Sequence, residues 1–233
     1  MFIVEGNIGA GKSTFLKIIS SYLPKLTTML EPVESWHGKR NGASLLTNFI
    51  KDPYRWSYTM ETFAMMKRVQ AHVIDQQCLD PYLVVERSIY SGHYVFSYNG
   101  YQQGFMSEKE WAMYTTFFEH LVPGHCQLPS GFIYLQVDPE IACERITKRS
   151  RDGEDGIPLE YLQQLHERHE SFLIQKHEVM QGLQDIPVLV LNVNQDFESD
   201  NDHARSLAKQ VGDFVVDNAS ACSSSNYLSG EPR

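Results

Sequence analysis

The chain is poor in cysteine, in positive charge and in long apolar runs, and each shortage removes a class of protein. Its four cysteines, Cys78, Cys126, Cys143 and Cys222, lie far apart, so they outline neither a disulfide framework nor a zinc-ligand pattern. Reduced thiols in a cytoplasmic protein are the expectation. Only 20 basic residues stand against 29 acidic ones, and the formal charge of −9 repels polyanions. No nucleic-acid partner is expected, and no basic cluster offers itself to a membrane surface. No run is apolar for long enough to span a bilayer, and the N-terminus enters a strand-like segment at once, leaving no room for a leader. With 233 residues and 42% hydrophobic content, the chain can bury one sizeable core and fits one domain better than two.

What is present starts with the apolar residues 2–4, followed by Gly6, Asn7, Ile8, Gly9, Ala10, Gly11, Lys12, Ser13 and Thr14. This is Gly-x-x-x-x-Gly-Lys-Ser/Thr after a candidate strand, a phosphate-binding loop. The glycines allow successive N–H groups to turn onto phosphate oxygens at a helix N-terminus. Lys12 then reaches the β- and γ-phosphates and the Ser13 hydroxyl is placed for Mg²⁺. The loop speaks for a bound nucleoside triphosphate and leaves the acceptor open.

Further along, apolar patterning predicts strands over 27–30, 82–85, 132–137 and 188–191. Helices are expected over 15–22, 45–50, 56–77, 139–149, 158–182 and 202–216, with starts near Ser91 and at Ser107, where Ser107 and Glu110 form a capping box. Strands alternating with helices imply an α/β fold: a five-stranded parallel sheet flanked by helices, with the strand ends in one row. Residues 1–217 form the expected domain, and the Ser-rich residues 218–233 lack periodicity and read as a disordered tail.

Phosphoryl transfer needs a metal, a nucleophile with its base, and positive charge. Glu31 closes the second strand, where a carboxylate can take a hydroxyl proton, although a strand-end charge or helix cap has the same look. Glu86, after the third strand, suits Mg²⁺, and Arg87 beside it can pair with Glu31. Arg145, Arg149 and Arg151 run down a helix end into a Gly-bearing segment, the plan of an Arg-rich lid, though a basic helix end also suits the helix dipole. His166 and His169 lie three apart on a helix but lack a carboxylate constellation, so surface or core residues are expected rather than metal ligands.

Taken together, these motifs resemble the deoxyribonucleoside kinases over residues 2–216. The loop with Glu5, Glu31-Pro32-Val33 with Trp36, the Glu86 to Ser91 signature and the lid arginines all match, and Ile157 to Leu162 with His166 and His169 looks most like the deoxycytidine and deoxyguanosine kinase branch. The resemblance implies a P-loop kinase in which ATP, with Mg²⁺ on Ser13 and Glu86, phosphorylates the 5′-hydroxyl of a small deoxynucleoside. Glu31 would be the base and Arg87 its orienting partner, while Lys12, Arg145 and Arg149 would stabilise the transferred group. Trp36, Met60 and Phe96 would line the nucleobase slot, Glu154 would bind the sugar, and Asp196 and Phe197 would meet the donor base.

The resemblance departs from the family at three points. Glu61 stands where the family has Gln, Gly92 replaces the Asp that faces Arg68, and Ile50 replaces a sugar-contacting Tyr. Glu61 was expected to become the partner of Arg68, and two carboxylate acceptors lean toward the N1–H and amine edge of deoxyguanosine. Loss of the Tyr wall at Ile50 would relax exclusion of ribose. A homodimer is implied by the family, with Trp111, Tyr114, Phe117 and Phe118 equally able to serve the core. A nucleoside monophosphate kinase and a non-catalytic kinase-fold subunit are the alternatives.

Overall fold

The computed structural model describes residues 1–31, 45–149 and 156–225, with side chains described as far as Ala219. Its centre is a sheet of five parallel strands in the order β2-β3-β1-β4-β5, where β1 is Phe2–Gly6, β2 Thr27–Met29, β3 Leu83–Glu86, β4 Gly131–Gln136 and β5 Val188–Asn192. The register pairs Val4 with Glu86 and Gly6 with Leu135, so the loop after β1 emerges between the ends of β3 and β4. Alternating side chains divide the core in two. Phe2 and Val4 pack with Phe15, Leu16 and Ile19 of α1 (Lys12–Tyr22) and with Leu207 and Val211 of α10 (Asn201–Ser225). Ile3 packs on the other face with Met65 of α3 (Pro53–Asp75), Tyr114 and Phe118 of α6 (Glu108–His125) and Leu165 of α8 (Leu159–His169).

The local signals act where expected. Asp52 caps α3 by accepting the Arg55 N–H at 3.2 Å, with Pro53 at the first position, and the Ser107–Glu110 capping box starts α6. Helix α2 (Leu45–Lys51) and helix α7 (Pro139–Arg149) lie on the predicted spans. Of the candidate interface aromatics, Tyr114 and Phe118 are buried, Trp111 stacks on Tyr101 at 5.0 Å, and Phe117 is exposed.

Three segments differ from expectation. The single helix over 158–182 is divided into α8, a π-helical stretch Glu170–Ile174, a reversal, and the short α9 (Gln181–Gln184). Phe172, Leu173, Val179 and Leu183 all reach one core only if the chain turns back, and the reversal puts Lys176 and Glu178 at φ +53° and +51°. Lys176 Nζ pins the turn by donating to the Leu183 and Ile186 carbonyls, each at 3.2 Å. The helix after β3 begins at Ser88 rather than Ser91: α4 (Ile89–Ser91) leads into a π-helical stretch Gly92–Ser97 and then α5 (Tyr98–Gln102). Finally, α10 continues beyond 216 to Ser225, because Ala219 still packs on the core, and residues 226–233 lie outside the described residues. No helix among the described residues is long and apolar enough to cross a membrane.

Candidate active site

The loop after β1 is a backbone structure that neighbouring residues hold from below. Gly9 has φ +80°, and a Cβ there would run into the carbonyl of Ala142. Gly11, at φ +86°, caps α1, and a Cβ on it would stand 2.9 Å from the Phe197 ring. That ring is buried, edge-on to Phe15 with centroids 5.9 Å apart. The expected donor-base pair therefore divides: Phe197 floors the loop, while Asp196 is exposed and accepts from Glu198 N–H and the Ser199 hydroxyl. Ala10 is core, and Asn7 ties the loop to α8 by donating to the Leu162 carbonyl at 2.8 Å.

Lys12 Nζ donates to the carbonyls of Gly6 and Asn7 at 3.0 and 2.9 Å. Burial, reinforced by the charge of Arg87, lowers its pKa to about 7. A phosphate group there would supply the counter-charge that burial withholds. Ser13 Oγ donates to Glu86 Oε1 at 2.8 Å, and the other carboxylate oxygen, Oε2, accepts the Glu31 N–H at 3.3 Å. A hydroxyl beside a carboxylate is an all-oxygen donor set of the kind that suits Mg²⁺ completed by phosphate and water.

Glu31 lies just past β2 and is gripped from both sides. Arg68 Nε stands 3.1 Å from its Oε1 and Arg87 Nε 3.3 Å from its Oε2, all three side chains being largely buried. Arg87 has φ +63°, a region that L residues rarely occupy and that marks many functional positions. Its guanidinium also reaches the Gly6 carbonyl at 3.4 Å and lies 4.6 Å over the Phe96 ring.

One cavity collects Lys12, Ser13, Glu31, Glu86, Arg87 and Arg149 with Ile50, Met60, Glu61, Arg68 and Phe96. Arg145 is elsewhere: its Nη2 donates to the Val193 carbonyl at 2.8 Å, at the end of β5. Trp36, Glu154 and Arg151 lie outside the described residues. Leu46, Phe49, Ala64, Ile157 and Tyr161 also line the cavity and were missed. For Leu46 and Phe49 the signal was there, since Leu46, Phe49 and Ile50 fall at i, i+3 and i+4 on one helical face. Phe105 lies outside this cavity and packs on Tyr54 at 5.2 Å. His169 is fully buried, stacked on Tyr134 with its Nδ1 2.7 Å from the Leu165 carbonyl, and burial lowers its pKa to about 3.

A family model described as deoxynucleoside kinase matches residues 2–216. The chain belongs to that family. Among its relatives, human deoxycytidine kinase is 35% identical over 237 residues, covering 91% of this chain and 89% of its own. The mitochondrial deoxyguanosine kinase of Xenopus laevis is 34% identical over 236 residues, with 91% and 88% covered, and a probable deoxycytidine kinase of fowlpox virus is 31% identical over 214 residues, with 91% and 86% covered. This deoxynucleoside kinase is thus a transferase that uses ATP to phosphorylate deoxynucleosides. The alternatives of a nucleoside monophosphate kinase and a non-catalytic subunit give way to it.

Glu61, Arg68, Gly92 and Ile50 now have a geometry. A Cβ at Gly92 would stand 2.7 Å from Arg68 Nη1, so a larger residue there would require the guanidinium to shift. Arg68 Nε donates to Glu31 Oε1 at 3.1 Å, whereas Glu61 Oε2 accepts the Ser97 hydroxyl at 2.9 Å. Burial pushes the Glu61 carboxyl up, against the pull of the nearby Arg68 charge. Gly92 itself does not line the cavity; Ile50 does.

Proposed function

We propose that this deoxynucleoside kinase directs phosphoryl transfer to the 5′-hydroxyl with Glu31 as general base. The reading is carried by the double grip of Arg68 and Arg87 on the Glu31 carboxylate, beside Lys12 and Ser13 in one cavity. Two guanidinium groups at hydrogen-bond distance, one on each oxygen, fix the direction in which the carboxylate points. Lys12 and Arg149 face the same space and would hold the charge of the transferring group, with Arg145 supporting from the end of β5. Mg²⁺ held by Ser13 and Glu86 would neutralise the β- and γ-phosphate oxygens.

For the acceptor base we favour deoxyguanosine. Glu61 lines the cavity together with Met60, Ala64, Arg68 and Phe96, and a carboxylate there suits two adjacent donors. The raised Glu61 carboxyl supports a second reading, in which the neutral acid offers one donor and one acceptor and so serves cytosine or adenine. A homodimer is supported by the apolar side chains that α3 and α6 leave exposed, namely Phe63, Met66, Met113 and Phe117. The free cysteines Cys78, Cys126 and Cys143 suit a reducing cytoplasm.

The base assignment is tested with Glu31→Gln. The expected outcome is a fall in kcat of about 10²–10⁴-fold with ATP affinity retained. A variant that turns over at the wild-type rate removes Glu31 from the chemistry.

A further inference from the structure

Glu5 is a fully buried carboxyl that the chemistry above does not use. It lies on β1 immediately before the phosphate loop, on the strand face shared with Ile3, toward α3 and α8. It does not line the cavity. Its Oε1 accepts the Ser88 hydroxyl at 2.5 Å. The Ser88 oxygen in turn accepts the N–H groups of Tyr90 and Ser91, both at 3.1 Å, and so caps the helix that leads to Phe96. One residue back on each strand, the Val4 carbonyl accepts the Arg87 N–H at 2.9 Å.

A serine hydroxyl has one proton to give and two lone pairs to offer. With both lone pairs engaged by backbone amides, the Ser88 proton needs an acceptor, and Glu5 is that acceptor. Two successive residues of β1 therefore grip two successive residues after β3. Between those grips lies Arg87 at φ +63°, a conformation that must be imposed by its surroundings.

We propose that Glu5 is a positioning residue: by accepting the Ser88 hydroxyl hydrogen bond it holds Arg87 in its left-handed conformation and Phe96 beneath the guanidinium, and thereby aims the cation that orients Glu31. The proposal rests on the roles given above to Glu31 and Arg87. Burial pushes the Glu5 carboxyl up against the Arg87 charge. Gln at this position keeps an acceptor oxygen for the Ser88 hydroxyl and should do the same work.

The test compares wild type, E5A, E5Q, S88A and the E5A/S88A double variant by steady-state kinetics and by dissociation constants for ATP and for a deoxynucleoside. E5A and S88A should each lower kcat/KM for the deoxynucleoside about tenfold, the loss of a buried hydrogen bond at a strained turn. ATP affinity should stay within about twofold, E5Q should keep about half the wild-type rate or more, and the double variant should be no worse than the poorer single. Losses that multiply in the double variant, an E5Q as impaired as E5A, or an ATP affinity that falls in step with kcat/KM overturn the proposal. If E5A does not fold, S88A and E5Q decide it, and an S88A with wild-type kinetics overturns it. Glu31→Gln is measured alongside. Wild-type turnover there defeats the base assignment, and the deoxynucleoside dissociation constants still report on the Glu5–Ser88 pair.

Discussion

The loop around Lys12 and the cluster around Glu31 sit side by side at the strand ends, yet they are made of different material. The phosphate end is backbone: φ angles at Gly9 and Gly11, two loop carbonyls on Lys12, and a ring beneath Gly11. The acceptor end is side chain: Glu31, Arg87, Arg68, Glu61 and Phe96 arrive from β2, β3, α3 and a π-helical stretch. Backbone cradles tolerate few sequences, so their residue pattern is fixed. Side-chain clusters can exchange partners, and specificity changes there without disturbing the cradle.

The sharpest way to break this comparison is to damage the cradle alone. Gly9→Ala puts a side chain where φ is +80° and the Ala142 carbonyl stands. Strain of this kind costs roughly 1–3 kcal/mol, so ATP affinity should fall about 100-fold at the upper end, while deoxynucleoside affinity stays near wild type. Equal losses at both ends, measured by calorimetry, would mean that the site is one unit rather than two.

Changing the acceptor end alone should give a smaller, selective effect. Glu61→Gln replaces two acceptors with one acceptor and one donor. The ratio of kcat/KM for deoxyguanosine over deoxycytidine should drop about tenfold, as expected for one buried polar mismatch, with ATP parameters unchanged. An unaltered ratio would mean that Glu61 already acts as a neutral acid, the second reading.

The mildest effect separates the two ends by pH. Lys12 has its pKa lowered to about 7, so it carries its proton below that pH and loses it above. Phosphate binding needs the ammonium, so above pH 7 binding must take up a proton, and the ATP dissociation constant should rise about fivefold between pH 7 and pH 8. Calorimetry in buffers of different ionisation enthalpy counts the proton. Lys12→Arg should flatten the slope, and a slope that survives it would place the titrating group elsewhere.

The difference in material also explains what was legible in the sequence. The five parallel strands, the loop, Glu31 and Glu86 at strand ends, and the capping box could all be read, because period, glycine and cap chemistry are local. The reversal after Ile174 could not be, since residues 158–182 keep a helical pattern and only the shared core of Phe172 and Leu183 bends them back. Nor could the choice Arg68 makes between Glu31 and Glu61, which depends on how β2 and α3, distant in sequence, come together. Phe197 followed the family pattern to the donor base, but its ring is committed to the floor of the loop.

Glu86 belongs to neither end alone. One of its oxygens receives the Ser13 hydroxyl from the phosphate loop and the other receives the Glu31 amide from the acceptor cluster. A ligand that pulled on one oxygen would change the geometry offered to the other, so donor and acceptor would be thermodynamically coupled through a single carboxylate. Such coupling is reciprocal: whatever factor the nucleotide imposes on nucleoside affinity, the nucleoside imposes on the nucleotide. The order in which the two substrates arrive then changes the route to the ternary complex and leaves its free energy unchanged.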